Sequence, residues 1–371
     1  AAEAPDAADP QVDAETGFVA DSAVAFNLIK RDSDLRQQAV RVMRGFNRVG
    51  LTSIVDVGGS IRGRGAQYFD VFSDYETIES LYDDEELTIR VRALVQGDRI
   101  TPLSGYEELV HSFAERFGRA DDSMFRVIGV GEDLGNIQEN GYQETVEMAI
   151  ANGWQVGKHA GALADIDNYH RAAVAVGQTT RLTLEHSVAG IAEFERIEAL
   201  GYEDVVGINL SIHPFLGRGR AGRTCDSRPY RTATERGLRV GIGTDSTNAQ
   251  PSNPWINVYS IVTGKDVKGF GLRAGGVTVN QDGESVTCPD ERVSRAQAIQ
   301  MYTKGSAWLA GAEEYIGVLE RGRLADLIVL SDDIFSNDVS DDDIWRMHSV
   351  LTIVNGQIVY VDEATPLAEQ I

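Results

Sequence analysis

The sequence predicts an α/β protein, a TIM-type (β/α)8 barrel that lacks one of its strands in this chain, followed by a small C-terminal β element. Seven apolar, strand-like runs alternate with amphipathic segments that are long enough to be crossover helices. Strands of this kind, buried on both faces, indicate a parallel sheet covered by helices, either doubly wound or closed. Polar residues gather at the carboxyl ends of the runs, and these ends share one face in a barrel. The barrel is therefore favoured.

The predicted elements follow the chain in order. Apolar residues at helical spacing over residues 35–50 predict a first helix, and Gly50 suits its end. Seven strand-like runs follow: TSIVDVG, LTIRVRALV, FRVIGVG, QVGKHA, RLTLEHS, VVGINLS and RVGIGTDS. A complete barrel has eight strands, so one is missing. The stretch DVGGSIRGRG lacks the G-x-G-x-x-G order, which weakens the alternative of a dinucleotide-binding fold.

Changes of composition predict the domain boundaries. Residues 1–34 have the character of an acidic linker or loop, and residues 35–310 carry the seven barrel strands. A glycine-rich insertion at 264–290 predicts a lid or a β-hairpin, and Ser294 is a candidate cap for the helix after it. Residues 311–371 are rich in strand-like runs and contain Asn355-Gly356, a hairpin signal.

The charge of the chain limits its partners. Acidic residues outnumber basic ones by 57 to 34, which gives a formal net charge of -23. Nucleic acid and anionic membranes are poor partners for such a surface, and no apolar run reaches the roughly 18 residues that span a bilayer. The two cysteines, Cys225 and Cys288, form no metal-type cluster. A lysine-poor, acid-rich surface suits the salt-rich cytoplasm of a halophile, although an ordinary acidic protein is the alternative.

The acidic composition leads to a first testable prediction. Because salt screens repulsion among like charges, we expect the melting midpoint of this protein to rise between low and molar potassium chloride. Thermal melts at the two salt concentrations measure the effect. A midpoint that salt leaves unchanged or lowers would contradict adaptation to salt.

Four residues at or near predicted strand ends form a candidate metal site: Glu132, His159, His186 and Asp245. Imidazole nitrogens and carboxylate oxygens are what a divalent ion such as zinc binds, and a bound metal makes hydroxide available at neutral pH. Asp245 could then accept the proton of the water and deliver it to a leaving group. The structural alternatives are that both histidines are satisfied core residues and that Asp245 only forms a turn.

The motifs GVGEDLG, GKHAG, LEHS, GIGTDS with NPW, GSAWLAG and the tail LERGRLADLIVLS with SVLTIVNGQIVY occur in this order. Together they resemble the amidohydrolase superfamily, in particular its amidohydrolase-3 branch, which includes N-substituted formamide deformylases. The resemblance implies a barrel hydrolase with one or two metal ions. It places His159, His186 and Asp245 at the ends of barrel strands five, six and eight, and Glu132 at the position of a bridging ligand on strand four.

Two further residues need separate interpretations. Lys158 is adjacent to His159, but successive side chains of a strand point to opposite faces, so we do not expect it to be the bridging ligand. His213, two residues past the run VVGINLS, is a candidate substrate contact, and a loop histidine is the alternative. The remaining histidines, His111, His170 and His348, are interpreted as structural.

One departure from the family pattern is that no His-x-His pair occurs in this sequence. Family members carry this pair on the first strand, so the resemblance implies that this chain lacks its first strand and carries barrel strands two to eight. An upstream segment, a second chain or a rearranged N-terminus is expected to complete the barrel. The leading hypothesis is a cytoplasmic, homo-oligomeric, metal-dependent hydrolase that cleaves an amide-type C–N bond of a small-molecule substrate. The alternative is a catalytically incomplete relative that acts as a binding or scaffold protein.

Overall fold

The computed structural model describes residues 35–57, 71–95, 124–131, 142–159, 161–185, 189–210, 229–244, 252–265 and 291–369, with short helical pieces between 107 and 115. Several predicted features lie outside these residues. They are the N-terminal linker at 1–34, most of the insertion at 264–290, and the candidate site residues Glu132, His186, His213 and Asp245.

A seven-stranded parallel sheet forms the centre of the described part of the chain. Its strands are β1 (Ser53–Asp56), β2 (Arg90–Val95), β3 (Phe125–Val130), β4 (Gln155–His159), β5 (Leu182–Glu185), β6 (Val206–Asn209) and β7 (Arg239–Gly241). They pair in the order in which they follow one another in the chain, β1 to β7. A doubly wound sheet would reverse its strand order at a switch point. The predicted barrel class is therefore confirmed.

Helices alternate with the strands of the sheet, as the amphipathic segments predicted, although no specific helix was predicted over Pro254–Thr263. They are α1 (Leu35–Arg48), α2 (Val71–Asp83), α3 (Tyr142–Ala151), α4 (Leu163–Val176), α5 (Ile191–Leu200), α6 (Tyr230–Glu235) and α7 (Pro254–Thr263). Gly50 follows α1 with a φ of 89°, a left-handed conformation that favours glycine, as predicted for a helix end. No helix of the described residues is long and apolar enough to span a membrane.

Two predicted elements differ in extent from those observed. Strand β7 ends at Gly241, so Asp245 lies four positions beyond the regular strand and not at its last residue. The segment after Ser294 is helical without a break, as predicted, but it contains a π-helical turn. It comprises α8 (Arg295–Gln300), a π-helix (Met301–Gly305) and α9 (Ser306–Leu309). The predicted cap is confirmed, because the Ser294 side chain accepts a hydrogen bond from the backbone N–H of Gln297.

The seven-stranded sheet packs against protein on both faces. On one face, Leu184 lies against Gly161 at the start of α4. We call the opposite face, which carries Gln155, Thr183, Gly207 and Gly241, the inner face. A Cβ atom on Gly207 would lie 2.4 Å from side-chain atoms of Trp308 and Leu309, so only glycine lets α9 pack this closely on the strands. The α9 segment thus fills the amino-terminal part of the inner face with apolar side chains.

The C-terminal β element is a three-stranded antiparallel sheet of β8 (Leu327–Leu330), β9 (Ser349–Val354) and β10 (Gln357–Val361). Asn355 and Gly356 join β9 to β10 with positive φ angles of 52° and 76°, which confirms the predicted two-residue hairpin. The sheet contacts the barrel through α1, where the Thr352 hydroxyl donates a hydrogen bond to the Asn47 carbonyl over 2.7 Å.

A buried ion pair also joins the two sheets. Arg90, at the start of β2, donates through Nε to Oδ2 of Asp326 over 2.9 Å, and the two side chains are 0% and 3% exposed. The Arg90 Nη2 atom lies 3.2 Å from Asp326 Oδ1, so the contact is bidentate. Oδ1 also accepts the backbone N–H of Asn355 over 2.7 Å. One carboxylate therefore fixes the C-terminal hairpin to a barrel strand.

Candidate functional site at the carboxyl edge of the sheet

Three polar side chains end consecutive strands on the inner face. His159 ends β4, Glu185 ends β5 and Asn209 ends β6. Because strand residues alternate between faces, His159 follows Gln155 on the inner face, Glu185 follows Thr183, and Asn209 follows Gly207. The apolar filling by α9 therefore lies at the amino ends of the strands and the three polar side chains at the carboxyl ends, where barrel enzymes have their functional residues.

Register and hydrogen bonds connect these three residues. His159 pairs with Glu185 in the β4–β5 register. The Asn209 side-chain amide donates to Glu185 Oε2 over 2.7 Å, a charge-assisted bond to a carboxylate that is 3% exposed. The His159 side chain is exposed. The arrangement offers an accessible imidazole beside a carboxylate that is held in place by an amide.

The other predicted metal ligands directly follow described strand ends. Glu132 comes after Gly131, whose backbone N–H donates to the Val95 carbonyl over 2.7 Å. His186 comes after Glu185, the last residue of β5. Asp245 comes after Thr244, three residues past the end of β7. Since β3, β4, β5 and β7 belong to one parallel sheet, these chain positions leave the sheet at the same edge.

Only one of the four predicted metal ligands lies within the residues that the structure describes. Glu132, His186, Asp245 and the candidate substrate contact His213 lie outside them, and His159 is the one predicted ligand that is described. Within residues that the structure describes, no group of three or more His, Cys, Asp or Glu side chains could hold a metal ion. The convergence of the four ligands remains a prediction.

Lys158 lies on the helix-covered face, away from the inner face. Its ammonium group is 5.7 Å from the ring centroid of Tyr142 in α3, and the residue is 9% exposed. Asp165 on α4 accepts the backbone N–H of Ala162 over 2.9 Å. Burial raises the pKa of Asp165, and the charge of Lys158 opposes that increase. Lys158 therefore belongs to a buried cluster behind the site.

The three histidines interpreted as structural have partners away from the carboxyl edge. His170 on α4 lies 2.9 Å from the Tyr202 hydroxyl, and His348 lies 3.2 Å from Asp362. The His111 ring lies 4.8 Å from the Trp154 ring, centroid to centroid. These local contacts account for the three histidines without a catalytic role.

The sequence reasoning missed Glu185 and Asn209. Both lie in predicted strand-like runs, Glu185 beside His186 in LEHS and Asn209 in VVGINLS. The available signal was the alternation of side chains. A carboxylate or an amide that ends a buried strand, in phase with small or polar residues, is expected on the inner face.

The fold and the polar carboxyl edge define a barrel of the enzyme type. A model of the amidohydrolase family, the amidohydrolase-3 model, matches residues 14–360. The chain belongs to the amidohydrolase family. This finding agrees with the resemblance that the motifs indicated.

One curated relative is similar to part of this chain. "Putative amidohydrolase YtcJ" of Bacillus subtilis (strain 168) is 29% identical over 131 residues, which cover 35% of this chain and 22% of that protein. The chain thus matches about a fifth of the length of this relative.

Among solved structures, the zinc complex of atrazine chlorohydrolase TrzN from Arthrobacter aurescens TC1 has a TM-score of 0.61 at 18% identity. The aligned region covers 94% of this chain and 78% of the TrzN chain. An uncharacterised metal-dependent hydrolase from Pyrococcus horikoshii OT3 has a TM-score of 0.55 at 20% identity. The aligned region covers 87% of this chain and 66% of that hydrolase. At these identities the likeness shows the fold alone.

Proposed function

We propose that this protein is a metal-dependent hydrolase that cleaves an amide-type C–N bond of a small molecule. The observation that carries the proposal is the polar carboxyl edge of the sheet, where His159 is accessible beside the buried pair of Glu185 and Asn209. Membership of the amidohydrolase family supports this class of reaction. From the resemblance to the amidohydrolase-3 branch, we take N-substituted formamides as the first substrates to test.

The donor set at this edge fits a divalent ion of the zinc type. His159 supplies an exposed imidazole, and Glu132, His186 and Asp245 would add a second imidazole and two carboxylates from neighbouring strand ends. Zinc prefers this mixture of nitrogen and oxygen ligands, and open catalytic sites leave one position for water. We propose that these four residues hold one or two ions.

The residues of this chain would have separate tasks in hydrolysis. The metal would supply a bound water whose pKa is lowered toward neutrality. Asp245 would accept the proton of that water and return it to the nitrogen of the leaving amine. Glu185, which is fixed by Asn209, would keep the end of β5 in place beside His159. The apolar packing of Trp308 and Leu309 on Gly207 would exclude water from the amino-terminal side.

The proposal predicts that turnover depends on a removable metal ion. We expect the purified full-length protein to contain zinc or a similar ion, and a chelator to reduce hydrolysis of N-substituted formamides to the level of the buffer blank. Adding zinc back to the chelated protein should restore turnover, because the ligands remain in place. Elemental analysis and a product assay on the same samples measure both quantities.

Other outcomes of this experiment would contradict the proposal. Hydrolysis that survives complete metal removal would exclude the metal-dependent reaction. A protein that neither retains metal nor hydrolyses N-substituted formamides would support the alternative, a catalytically incomplete relative that acts as a binding or scaffold protein.

A further inference from the structure

Side chains from α7 and α9 contact the backbone just beyond the end of β7. Within the described residues, β7 is an outer strand of the sheet, and its pairing with β6 ends at Gly241. The next residues, 242–244, lead to Asp245 without regular strand structure. Gly243 is among them, and glycine gives the backbone more conformational freedom than any other residue. The direction in which the chain leaves the sheet therefore depends on other contacts.

Asn257 supplies the contact at Gly243. This residue lies on α7, is 1% exposed, and its side-chain Nδ2 donates to the Gly243 carbonyl over 3.0 Å. The same Nδ2 donates to the Tyr302 hydroxyl over 2.7 Å. Tyr302 lies in the π-helix, and burial raises its pKa, so its hydroxyl stays protonated. One amide thus joins the strand end, α7 and the π-helix.

Asn257 also connects the two ends of the segment that contains Asp245. Gly243 comes two residues before Asp245, and α7 begins at Pro254 after the cap residue Asn253. Most side chains that α7 buries are apolar, such as Trp255, Ile256 and Val258. A buried amide in such a helix is costly unless it forms hydrogen bonds. The bonds that it forms are to the strand end and to Tyr302.

A second contact lies one residue earlier in the chain. The Ser306 hydroxyl, at the start of α9, lies 3.4 Å from the backbone nitrogen of Ile242 and 3.3 Å from its carbonyl oxygen. Next to it, a Cβ atom on Gly305 would lie 1.9 Å from the Val240 carbonyl oxygen, so the π-helix approaches β7 as closely as glycine allows. The π-helix and the start of α9 therefore pack directly on the end of β7 and on the residues that follow it.

We propose that Asn257, oriented by Tyr302, is a positioning residue that fixes the Gly243 carbonyl, two residues before Asp245, and acts through the backbone on the role of Asp245 in the proposed metal site. The inference rests on the proposed function, because it assumes that Asp245 acts in that site. Neither residue is proposed to touch the substrate. Their effect passes through the Gly243 carbonyl, so it should appear in every property that depends on Asp245.

Replacement of the two residues tests the inference on the full-length protein. We expect Asn257→Leu, which keeps the volume but removes both donors, to lower kcat by about 10²-fold with little change in KM, since misplacing a catalytic group by about 1 Å costs that much. Its zinc affinity, measured with a competing chelator, should fall about tenfold. Tyr302→Phe should lower kcat and zinc affinity by less, because it removes only the hydrogen bond that orients Asn257 and leaves the bond from Asn257 to the Gly243 carbonyl possible.

Tyr169→Phe is the matched control. Tyr169 on α4 is 1% exposed, and its hydroxyl donates to the Thr180 carbonyl over 2.5 Å and accepts the Thr180 N–H over 2.8 Å. Thr180 precedes β5 at its amino end, away from the carboxyl edge. Both Tyr→Phe variants should lower the melting midpoint by roughly 2 °C. Only Tyr302→Phe should change kcat and zinc affinity.

A double variant separates positioning from general loss of stability. If Tyr302 acts only by orienting Asn257, then Asn257→Leu combined with Tyr302→Phe should be no worse in kcat than Asn257→Leu alone. Equal kcat and equal zinc affinity in Tyr302→Phe, Asn257→Leu and Tyr169→Phe would overturn the inference and leave the proposed function intact. A wild-type protein without zinc binding and without amide hydrolysis would overturn the proposed function, and this inference with it.

Discussion

Replacing Asp245 by asparagine should reduce turnover by about 10²- to 10⁴-fold and leave the melting midpoint nearly unchanged. The amide fills the same volume as the carboxylate but cannot accept a proton. Asp245 follows Thr244 at the carboxyl edge of the sheet, beyond the strand end that Asn257 holds. Its proposed task is to take the proton of the metal-bound water and pass it to the leaving amine.

The measurement compares kcat of the metal-loaded wild type and Asp245→Asn on one amide substrate, together with their melting midpoints. Asp204→Asn is a suitable control, because Asp204 is a carboxylate that is 80% exposed and paired with Arg239 far from the carboxyl edge. It should keep wild-type turnover. Turnover of Asp245→Asn close to that of the control would mean that Asp245 only caps local backbone groups, a role that asparagine fills well.

Replacing Asp326 by asparagine should lower the free energy of unfolding by about 3–5 kcal/mol. The Arg90 guanidinium is 0% exposed, and the substitution removes the carboxylate charge that balances it. The asparagine oxygen can still accept the Asn355 N–H, but its amide group would then face the Arg90 Nε–H, and two donors would meet. Urea denaturation of the wild type and the variant measures the difference.

The exposed pair of Arg239 and Asp204 is again the reference. Its atoms approach to 2.5 Å, yet its side chains are 40% and 80% exposed, so Asp204→Asn should change the free energy of unfolding by no more than about 1 kcal/mol. Joint replacement, Arg90→Met with Asp326→Leu, should recover much of the stability that Asp326→Asn loses. If Asp326→Asn and Asp204→Asn destabilise the protein equally, the buried pair does not join the two sheets energetically.

Local patterns in the sequence predicted the regular elements well. The alternation of apolar runs and amphipathic segments predicted all seven strands of the parallel sheet. Ser294 predicted a helix start, and Asn355-Gly356 predicted the hairpin between β9 and β10. Each signal lies within a few residues of the structure that it specifies. The physical preferences involved, caps, positive φ angles and burial on both faces, are likewise local.

Local patterns predicted the end of β7 and the π-helical turn less well. The run RVGIGTDS predicts a strand along its whole length, but β7 ends at Gly241. The next two carbonyls, of Ile242 and Gly243, accept hydrogen bonds from the side chains of Ser306 and Asn257. The residues after Ser294 have helical spacing throughout, but Gly305 packs against the Val240 carbonyl within a π-helix. In both cases contacts with distant parts of the chain decide the local conformation.

The sequence by itself determined the class of fold, the acidic composition, the family and the strand ends that contain candidate ligands. Only the tertiary structure decided which polar residues meet. Asp326 lies 236 positions from its partner Arg90, and Asn257 lies 14 positions from Gly243 across a strand end and a loop. The preferences of a residue for helix, strand or turn act over a few positions. The partner of a buried amide or ion depends on which elements the fold packs together, and a single sequence shows no pattern at those distances.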